Sequence, residues 1–269
     1  MRLIILEKDY KDIIFSVESG VCTITLNRPH KMNALRYPTI MEILDVFESI
    51  KKDKSIRVIV INGAGRSFCS GDDFAILGTR STEFPPLDSK FKMPHHKLIN
   101  LIREIQIPVI ALLHGYCLGA GFELALACDF RLAADNLEIG DHRTTRAICM
   151  LHGASWFLPR LIGFARATEI VLTGCHLDAE EALEIGLVNR VYPAAQFNEN
   201  SKEFIRKIAE LPTKCLGYNK AMFNYSFTND LPSSLQNEFK LFNENMKTSD
   251  FREGNRSFIE KREPQYKGR

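Results

Sequence analysis

A glutamate stands in the middle of a run of small and apolar residues, GYCLGAGFELALACD, at positions 115–129. An ionised carboxylate is expensive to bury unless it has a partner, because it loses its hydration. Glu123 is therefore a candidate for proton transfer or for the handling of a reacting water. The alternative is a structural glutamate that is paired with another group of the fold.

Two glycine-rich turns each follow a buried strand pattern: NGAGRSFCSGDDF comes after RVIVI, and HGYCLGAGFE comes after PVIALL. Glycine permits tight turns and lets a ligand approach the backbone closely. A turn that opens a helix also presents free N–H groups at the positive end of the helix dipole. Two such turns could direct two N–H groups at one point, which would form an oxyanion hole. The same glycines could instead serve only to make tight turns.

Other glycine-rich motifs do not fit these turns. A P-loop requires Gly-Lys-Ser/Thr at its end, and no lysine follows either turn. In GAGFEL, Glu and Leu interrupt the dinucleotide-binding pattern. GRSFC lacks the last glycine of a nucleophile elbow.

The hydrophobic pattern predicts the elements that position these turns. A unit of strand, glycine-bearing turn and helix recurs, most clearly in VIVINGAG and VIALLHGYCLGAG. This alternation is typical of an α/β core with buried parallel strands. The strand pattern thins out from about Ser155, and most of the remaining chain reads as helical. We predict an α/β core over residues 1–195 and a helical region over 196–269, without a low-complexity linker.

Composition narrows the class of protein. The formal net charge of +2 gives little attraction to nucleic acid or to an anionic membrane. The seven cysteines are scattered and odd in number, which argues against a disulfide framework or a zinc site and suits a reducing compartment. The segment MRLIILEKDYKD reaches charge too soon for a signal peptide, and no apolar stretch is long enough to span a bilayer. We therefore expect a cytoplasmic protein that binds neither nucleic acid nor membrane.

Four segments carry a resemblance to a known family. They are NRPHKMNAL, GAGRSFCSGDDF, IPVIALLHGYCLGAGFELALACDFRLAADN and FREGNRSFIEKREPQYKG, in this order from Asn27 to Gly268. Together they resemble the crotonase family, the enoyl-CoA hydratase/isomerase superfamily. The resemblance implies a spiral of ββα units with a helical C-terminal trimerisation region. It also implies trimers, often paired into hexamers, and an acyl-CoA thioester substrate, with no metal and no cofactor beyond the coenzyme A of that substrate.

The resemblance also assigns residues. It implies that the backbone N–H groups of Asp72 and Ala120 are the oxyanion donors, and that Glu123 matches the hydratase glutamate that handles water. The Asp72 carboxylate is then expected to point away from the developing enolate. The positions that match the coenzyme A and pantetheine groove are Lys31, Met32, Ala34, Ser70, Asp73 and Phe74.

One position departs from the hydratase pattern. In LEIGDHRTTRAICMLHGASWFLPRLIG, Arg143 stands where hydratases have their second glutamate. A buried guanidinium needs an anionic partner, and Asp141, Glu123 or a charged substrate group could each supply it. His142 is a candidate acid or base, or a loop histidine bonded to the backbone. His152 and Cys149 are expected to shape the acyl pocket, whereas His95 and His96 are expected to be exposed at a helix start.

Three functions fit these residues. The first is hydration or dehydration of an enoyl-CoA with Glu123 as the acid, base or water-handling group. The second is another crotonase reaction, such as double-bond isomerisation, decarboxylation or thioester hydrolysis, because the second glutamate is replaced by Arg143. The third is a non-catalytic acyl-CoA binder, against which the retained Glu123 speaks.

Overall fold

The computed structural model describes residues 9–73 and 93–269, so Phe74 of the predicted groove lies outside the described residues. Within these ranges the strands are β1 (Ile13–Glu18), β2 (Val21–Leu26), β3 (Val58–Gly63), β4 (Val109–Leu113), β5 (Tyr116–Leu118), β6 (Phe130–Ala134), β7 (Glu138–Gly140), β8 (His176–Asp178) and β9 (Arg190–Tyr192).

The helices of the described residues are α1 (Tyr37–Ile50), α2 (Pro94–Glu104), α3 (Ala120–Ala127), α4 (Ala154–Ile162), α5 (Phe164–Thr173), α6 (Ala179–Glu184), α7 (Phe197–Glu210), α8 (Thr213–Ser226), α9 (Leu231–Met246) and α10 (Ser249–Glu260). Short 3-10 helices lie at Pro29–Lys31, Arg143–Arg146 and Ala194–Gln196. None of these helices has the length and hydrophobicity needed to cross a bilayer.

In the described part of the chain, the larger sheet has the strand order β1-β2-β3-β4-β6-β9. β1 and β2 form an antiparallel hairpin, and the other neighbouring strands pair in parallel. Parallel neighbours need crossover connections, which α1, α2 and α3 provide between successive strands. Because parallel strands end at the same edge of a sheet, the turns after β3 and β4 leave the sheet side by side.

The central strands are buried on both faces, which explains their continuous apolar sequence. Successive side chains alternate between the two faces. Ile59 and Ile61 belong to the core cluster that includes α1 and the helices of the site. Val58 and Val60 pack instead with Phe197 and other residues of the opposite face. The sheet is therefore held in place from both sides.

The C-terminal helices follow the core and are anchored to it by a buried lysine on α8. Lys220 Nζ donates to Asp129 Oδ2 and to the Ile102 carbonyl, both at 2.7 Å. Further along, α8 to α10 present large apolar side chains to the surface; Phe223 is 68% exposed, Phe239 69% and Phe258 85%. Residues 196–269 are thus mainly helical, as predicted, and form α7 to α10.

A second, smaller sheet of the described residues joins β5, β7 and β8, with β5 parallel to β7 and β8 antiparallel to it. Each of these strands has three residues. The sequence analysis did not predict them, because three residues are too few to show a periodicity. This sheet lies beside the turns that carry the predicted oxyanion donors.

Candidate active site

The two glycine-rich turns lie in parallel, in register with each other. Cys69 forms a parallel bridge with Cys117, and the Cys69 carbonyl accepts a hydrogen bond of 2.9 Å from the Leu118 N–H. Asp72 comes three residues after Cys69, and Ala120 comes three residues after Cys117. The two residues thus follow the bridge at the same distance along each segment.

Two glycines allow these segments to come together. Gly71 has a φ of 108° and Gly119 a φ of 53°, in the region that favours glycine. A Cβ atom on Gly71 would lie 3.6 Å from the Ala120 nitrogen, and one on Gly119 would lie 3.6 Å from the Gly71 Cα. The backbones of the two turns therefore lie in close approach at this point.

The orientation of both N–H groups follows from the local hydrogen bonds. Gly71 O accepts from Leu35 N at 2.7 Å and Asp73 N donates to Leu35 O at 2.8 Å. In a parallel pairing, the residue between these two groups turns its own N–H to the other side, so the Asp72 N–H faces away from Leu35. Ala120 is the first residue of α3, where an N–H has no carbonyl of its own helix to bond.

Helix α3 carries Glu123 into the interior. All the residues of this helix are buried. A Cβ on Gly121 would lie 2.6 Å from the Cys69 Sγ atom, so the helix packs directly on the other turn. Glu123 has no solvent exposure. The groups around its carboxylate explain how a charged residue can be buried in an apolar run.

The Glu123 carboxylate accepts four hydrogen bonds. Its Oε1 atom accepts from the His152 N–H at 2.9 Å and the Ala154 N–H at 3.1 Å. Its Oε2 atom accepts from Arg143 Nη1 at 2.8 Å and from His152 Nδ1 at 3.1 Å. A carboxylate has about four lone-pair positions, and all of them are used. Burial alone raises the pKa of Glu123, but the hydrogen bonds from His152 and Arg143 outweigh it and bring the pKa to about 2.

Arg143 holds two carboxylates at once. Its Nε and Nη2 atoms donate to the two Asp141 oxygens at 2.8 and 2.5 Å, and its Nη1 atom donates to Glu123. Burial disfavours the cation, but the hydrogen bonds to Asp141 and Glu123 prevail and raise the pKa of Arg143. Two of the three partners considered from the sequence are therefore engaged together. The bridge between Arg143 and Asp141 is buried, with residue exposures of 3% and 1%, rather than lying on the surface.

His152 extends the hydrogen-bond network of Glu123 and Arg143 toward the two glycine-rich turns. Gly153, with a φ of 107°, turns the chain so that the N–H groups of His152 and Ala154 both face Glu123. Since an ionised carboxylate can only accept, His152 Nδ1 carries the proton of their shared hydrogen bond. The other ring nitrogen, Nε2, is buried and has no hydrogen-bond partner among the described residues.

The ring of His95 stacks on that of His152, with centroids 4.2 Å apart and an interplanar angle of 17°. The expectation that His95 is exposed at a helix start is wrong: the residue is 5% exposed, because the first turn of α2 packs over the site. Burial and the neighbouring histidines His152 and His96 lower the pKa of His95 to about 3, so its ring is neutral. His96 is half-buried and bonds the Leu151 carbonyl at 2.9 Å.

The Asp72 side chain faces the same histidines. One of its carboxylate oxygens lies 3.8 Å from His95 Nε2. Burial raises the pKa of Asp72, although the positive charge of Arg143 acts in the opposite direction. The Asp72 backbone is thus part of one glycine-rich turn, while its carboxylate faces His95 and His152, which we call the histidine cluster.

Asp72, His95 and His152 have metal-ligand atom types within 4.8 Å of one another. A metal ion bound by two imidazole nitrogens must lie close to both ring planes. The rings of His95 and His152 are stacked and nearly parallel, so their in-plane lone pairs run side by side rather than converging. The arrangement therefore does not fit a shared metal ion.

The residues predicted for the coenzyme A groove differ in whether their side chains are free or held by the protein. Ser70 N donates to the Met32 carbonyl at 3.0 Å, and Ala34 lies on the same loop, so these three line one side of the oxyanion turn. Lys31 is exposed on this loop. Asp73 bonds Arg28 Nη2 at 2.9 Å, so its carboxylate is held by the protein itself.

Two residues that fix this loop were not identified from the sequence. Asn33, with a φ of 56°, donates from its side-chain amide to the carbonyls of Ala64 and Ser67 at 2.9 and 2.8 Å. Arg28 donates to the Ala34 carbonyl at 2.6 Å. The tolerance of asparagine for positive φ is the signal that could have indicated Asn33.

His142, by contrast, lies outside the site. Its ring packs edge-on against His176, with centroids 5.5 Å apart. Burial lowers the pKa of His142, and the charge of Arg146 acts in the same direction. Cys149 is exposed, and all seven cysteines are free thiols, in agreement with the absence of a disulfide framework.

Comparison with known proteins identifies the family of this chain. The family model described as "Enoyl-CoA hydratase/isomerase" matches residues 16–269. A crotonyl-CoA hydratase of Syntrophomonas wolfei is 32% identical, covering 96% of this chain and 98% of its own length. A 1,2-epoxyphenylacetyl-CoA isomerase of Escherichia coli is 31% identical, with the same coverage of both chains.

A solved structure of an enoyl-CoA hydratase from Bacillus anthracis superimposes with a TM-score of 0.88 at 33% identity, covering 96% of this chain and all of the other. The chain belongs to the enoyl-CoA hydratase/isomerase family and has the crotonase fold. The resemblance inferred from the four sequence segments is therefore confirmed, and so is the α/β fold class. Membership implies an acyl-CoA enzyme of the hydratase or isomerase kind.

Proposed function

We propose that this protein forms a thioester enolate from an acyl-CoA and holds the enolate oxygen between the N–H groups of Asp72 and Ala120. The observation that carries the proposal is the shared register of the two turns, which places both residues three positions beyond the Cys69–Cys117 bridge. Two preorganised N–H donors stabilise the charge that develops on a thioester oxygen. The free N–H of Ala120 at the start of α3 adds the positive end of the helix dipole.

The reaction proposed first is hydration or dehydration of an enoyl-CoA, in which water adds to the β-carbon and a proton to the α-carbon. Two relatives of similar length support it, one named crotonyl-CoA hydratase and one short-chain-enoyl-CoA hydratase. Glu123 is the predicted acid, base or water-handling group. Its four hydrogen bonds favour a role in positioning, because direct proton transfer would require one of them to open.

Double-bond isomerisation is the second candidate. Arg143 stands at the position of the second hydratase glutamate and is held by Asp141 and Glu123, so it cannot act as a base. A 1,3-proton shift needs one proton carrier and no water. The Escherichia coli relative is named 1,2-epoxyphenylacetyl-CoA isomerase, so an acyl-CoA isomerisation, there of an epoxide, is known at a similar sequence distance.

The test is a panel of acyl-CoA thioesters incubated with the protein and followed by mass spectrometry and ultraviolet absorbance. Crotonyl-CoA, a 3-enoyl-CoA and a carboxylated enoyl-CoA are the informative members. Gain of one water supports hydration, and movement of the double bond at constant mass supports isomerisation. Loss of carbon dioxide or release of free coenzyme A would indicate decarboxylation or hydrolysis. Binding without any change would mean a non-catalytic acyl-CoA binder.

The carboxylated substrate tests the predicted substrate-binding role of Arg143. Three of its five N–H donors are taken by Asp141 and Glu123, which leaves two for another acceptor. Preference for the carboxylated compound over crotonyl-CoA would support that role. Equal turnover would restrict Arg143 to positioning Glu123.

The coenzyme A moiety is proposed to lie along Lys31, Met32, Ala34 and Ser70, with Lys31 available to its phosphates because it is exposed. Asp73, also predicted for this groove, instead holds Arg28 and through it the Ala34 carbonyl. Its contribution to binding is therefore proposed to be indirect.

Residues 196–269 are proposed to form the oligomerisation region of a homotrimer or a hexamer. The exposed phenylalanines of α8 to α10 support this, since monomers rarely expose many large apolar side chains in one region. Sedimentation equilibrium measures the assembly directly. A species with three or six times the chain mass is expected.

A further inference from the structure

We infer that His152 Nε2 is the catalytic group that takes the proton from the substrate α-carbon, and that Glu123 and Arg143 act as its positioning residues. This inference rests on the proposed enolate chemistry and names the group that performs its first step. Glu123 was the predicted proton carrier, but all of its lone pairs are occupied. A proton carrier must have a nitrogen or oxygen lone pair that is free before the reaction.

The hydrogen bonds fix which nitrogen of His152 is free. Arg143 keeps Glu123 ionised, and the ionised carboxylate accepts from His152 Nδ1 at 3.1 Å. In the neutral form of the ring, this hydrogen bond puts the proton on Nδ1 and the lone pair on Nε2. The backbone N–H of His152 also donates to Glu123, so the residue is held at two points. An orienting carboxylate of this kind selects the tautomer and stabilises the imidazolium that forms.

The His152 side chain lies close to both residues of the proposed oxyanion hole. His152 and Ala120 line the same small cavity. A ring nitrogen of His152 lies within 4.8 Å of a carboxylate oxygen of Asp72, whose N–H is the second proposed donor. His152 is 3% exposed, and Nε2 has no partner among the described residues. The Nε2 lone pair is therefore free to accept a proton from a bound substrate.

His95 and His152 differ in the groups around their rings. His95 has no hydrogen-bonded carboxylate, and its two ring nitrogens lack partners within the described chain. Its low pKa follows from burial and from the neighbouring histidines. His152 has the Glu123 carboxylate on Nδ1 and the Asp72 carboxylate nearby, so two carboxylates face its ring. Among the described residues, the ring of His96 also lies near it, with centroids 6.2 Å apart, and Arg143 lies beyond Glu123.

The proton transfers balance without water. His152 Nε2 takes the α-proton of a 3-enoyl-CoA, and the electron pair of that C–H bond enters the dienolate. The thioester oxygen carries the charge between the N–H groups of Asp72 and Ala120. The Nε2–H then returns the proton to the γ-carbon, and the double bond moves into conjugation with the thioester. For this isomerisation the substrate class is a 3-enoyl-CoA thioester, and the enzyme ends in its starting protonation state.

Removal of the α-proton can be measured apart from the full isomerisation. Wild-type protein is incubated with butyryl-CoA in D₂O, and exchange of the α-protons is followed by mass spectrometry; a 3-enoyl-CoA is assayed in parallel. His152→Gln keeps an N–H donor for Glu123 but has no basic nitrogen. We expect it to lose exchange and isomerisation by about 100-fold or more while binding acyl-CoA normally. In His152→Ala, added imidazole is expected to restore part of the rate.

His142→Gln is the matched control, because His142 packs against His176 outside the cavity, and it is expected to keep the parental rate. A His152→Gln variant that exchanges at the parental rate overturns the inference while leaving the proposed function intact. Wild-type protein that neither exchanges nor converts any acyl-CoA overturns both. Loss of wild-type exchange on treatment with a chelator would also overturn it, in favour of a metal ion bound by the histidines.

A measurement on the wild-type chain covers the case in which the variants do not fold. Nitrogen-15 spectra of histidine-labelled protein report the tautomer of each ring, with His152 assigned through its backbone amide. The inference requires a protonated Nδ1 and an unprotonated Nε2 at neutral pH. The opposite tautomer would exclude Nε2 as the proton acceptor.

Discussion

Arg143 Nη1 donates to Glu123 Oε2 at 2.8 Å, and both side chains are almost completely buried. Arg143, which the resemblance places where hydratases have a second glutamate, is therefore a partner of Glu123. Since Arg143 also holds Asp141 through two hydrogen bonds, one guanidinium neutralises two buried carboxylates.

Replacement of Arg143 by alanine should destabilise the fold. It leaves Glu123 and Asp141 buried without their cation, and breaking such a pair typically costs about 3–5 kcal/mol. Urea unfolding measures the difference from the parent. Arg166→Ala is the matched control, because Arg166 pairs with Glu169 on the exposed face of α5 and should contribute less than about 1 kcal/mol. Equal effects of the two substitutions would contradict the buried-network interpretation.

Glu123→Gln should reduce turnover by roughly 100-fold while acyl-CoA binding persists. The amide has one accepting oxygen where the carboxylate has two, so two of the four N–H donors around Glu123 are left facing its NH₂ group. The substitution also removes the negative charge that faces the His152 ring. Turnover and acyl-CoA affinity are measured on the same preparation, with Glu203→Gln on exposed α7 as the control. A fully active Glu123→Gln variant would reduce Glu123 to a structural residue.

The same substitution should change the response of stability to acid. The pKa of Glu123 is lowered to about 2 from an ordinary value of 4.5, so its stabilisation is complete above pH 4.5 and is lost as pH falls toward 2. The difference in unfolding free energy between the parent and Glu123→Gln should therefore shrink below pH 4.5. Chemical unfolding at pH 6, 4 and 3 tests this; a constant difference would exclude the depressed pKa.

His95 should make the protein sensitive to mild acid. Its pKa falls from 6.5 to about 3 on folding, so the unfolded chain binds a proton that the folded chain excludes. Stability is then lost as pH falls below 6.5 and continues to fall toward 3. His95→Gln should flatten this dependence between pH 7 and 5, as measured by thermal unfolding. His30→Gln at an exposed position is the control and should leave the parental slope.

Ala120→Pro should remove one oxyanion donor with little change to the helix, because proline is well accommodated at the first helical position. Turnover should fall by about 100-fold or more, the scale observed for loss of one such donor. Ala120→Gly keeps the N–H and serves as the control. Circular dichroism and acyl-CoA binding confirm that each variant is folded. A folded proline variant with parental turnover would exclude the Ala120 N–H as a donor.

Much of the fold could be predicted because its signals are local. Buried strands such as Val58–Gly63 and Val109–Leu113 are continuous apolar runs. Asp178 caps its helix through a capping box with Glu181, a local pattern of two acidic residues three positions apart. The glycine turns were visible in the sequence, and the resemblance to the family predicted Asp72 and Ala120 as the donors in them. Periodicity could not find β5, β7 and β8, each of three residues.

The histidine cluster could not be predicted for a different reason. His95 lies on α2 and His152 in the loop before α4, so their contact depends on how distant segments pack. The sequence suggested that His95 was exposed, because charged and polar residues usually begin a helix at the surface. The role inferred for His152 likewise depends on Glu123 being saturated, and no local pattern encodes the four donors that achieve this.

The shared register of Asp72 and Ala120 has a consequence for how this site can change over evolutionary time. Because the proposed donors are main-chain groups, the side chains at both positions are free to vary without loss of the hydrogen bonds to the substrate. What must be kept is the pair of glycines before them, Gly71 and Gly119, whose positive φ angles let the two turns meet. Asp72 is an example: its carboxylate adds a charged group beside His95 and His152, while its backbone still provides the proposed N–H donor. New chemistry can thus be acquired at this site by single side-chain replacements on a constant scaffold.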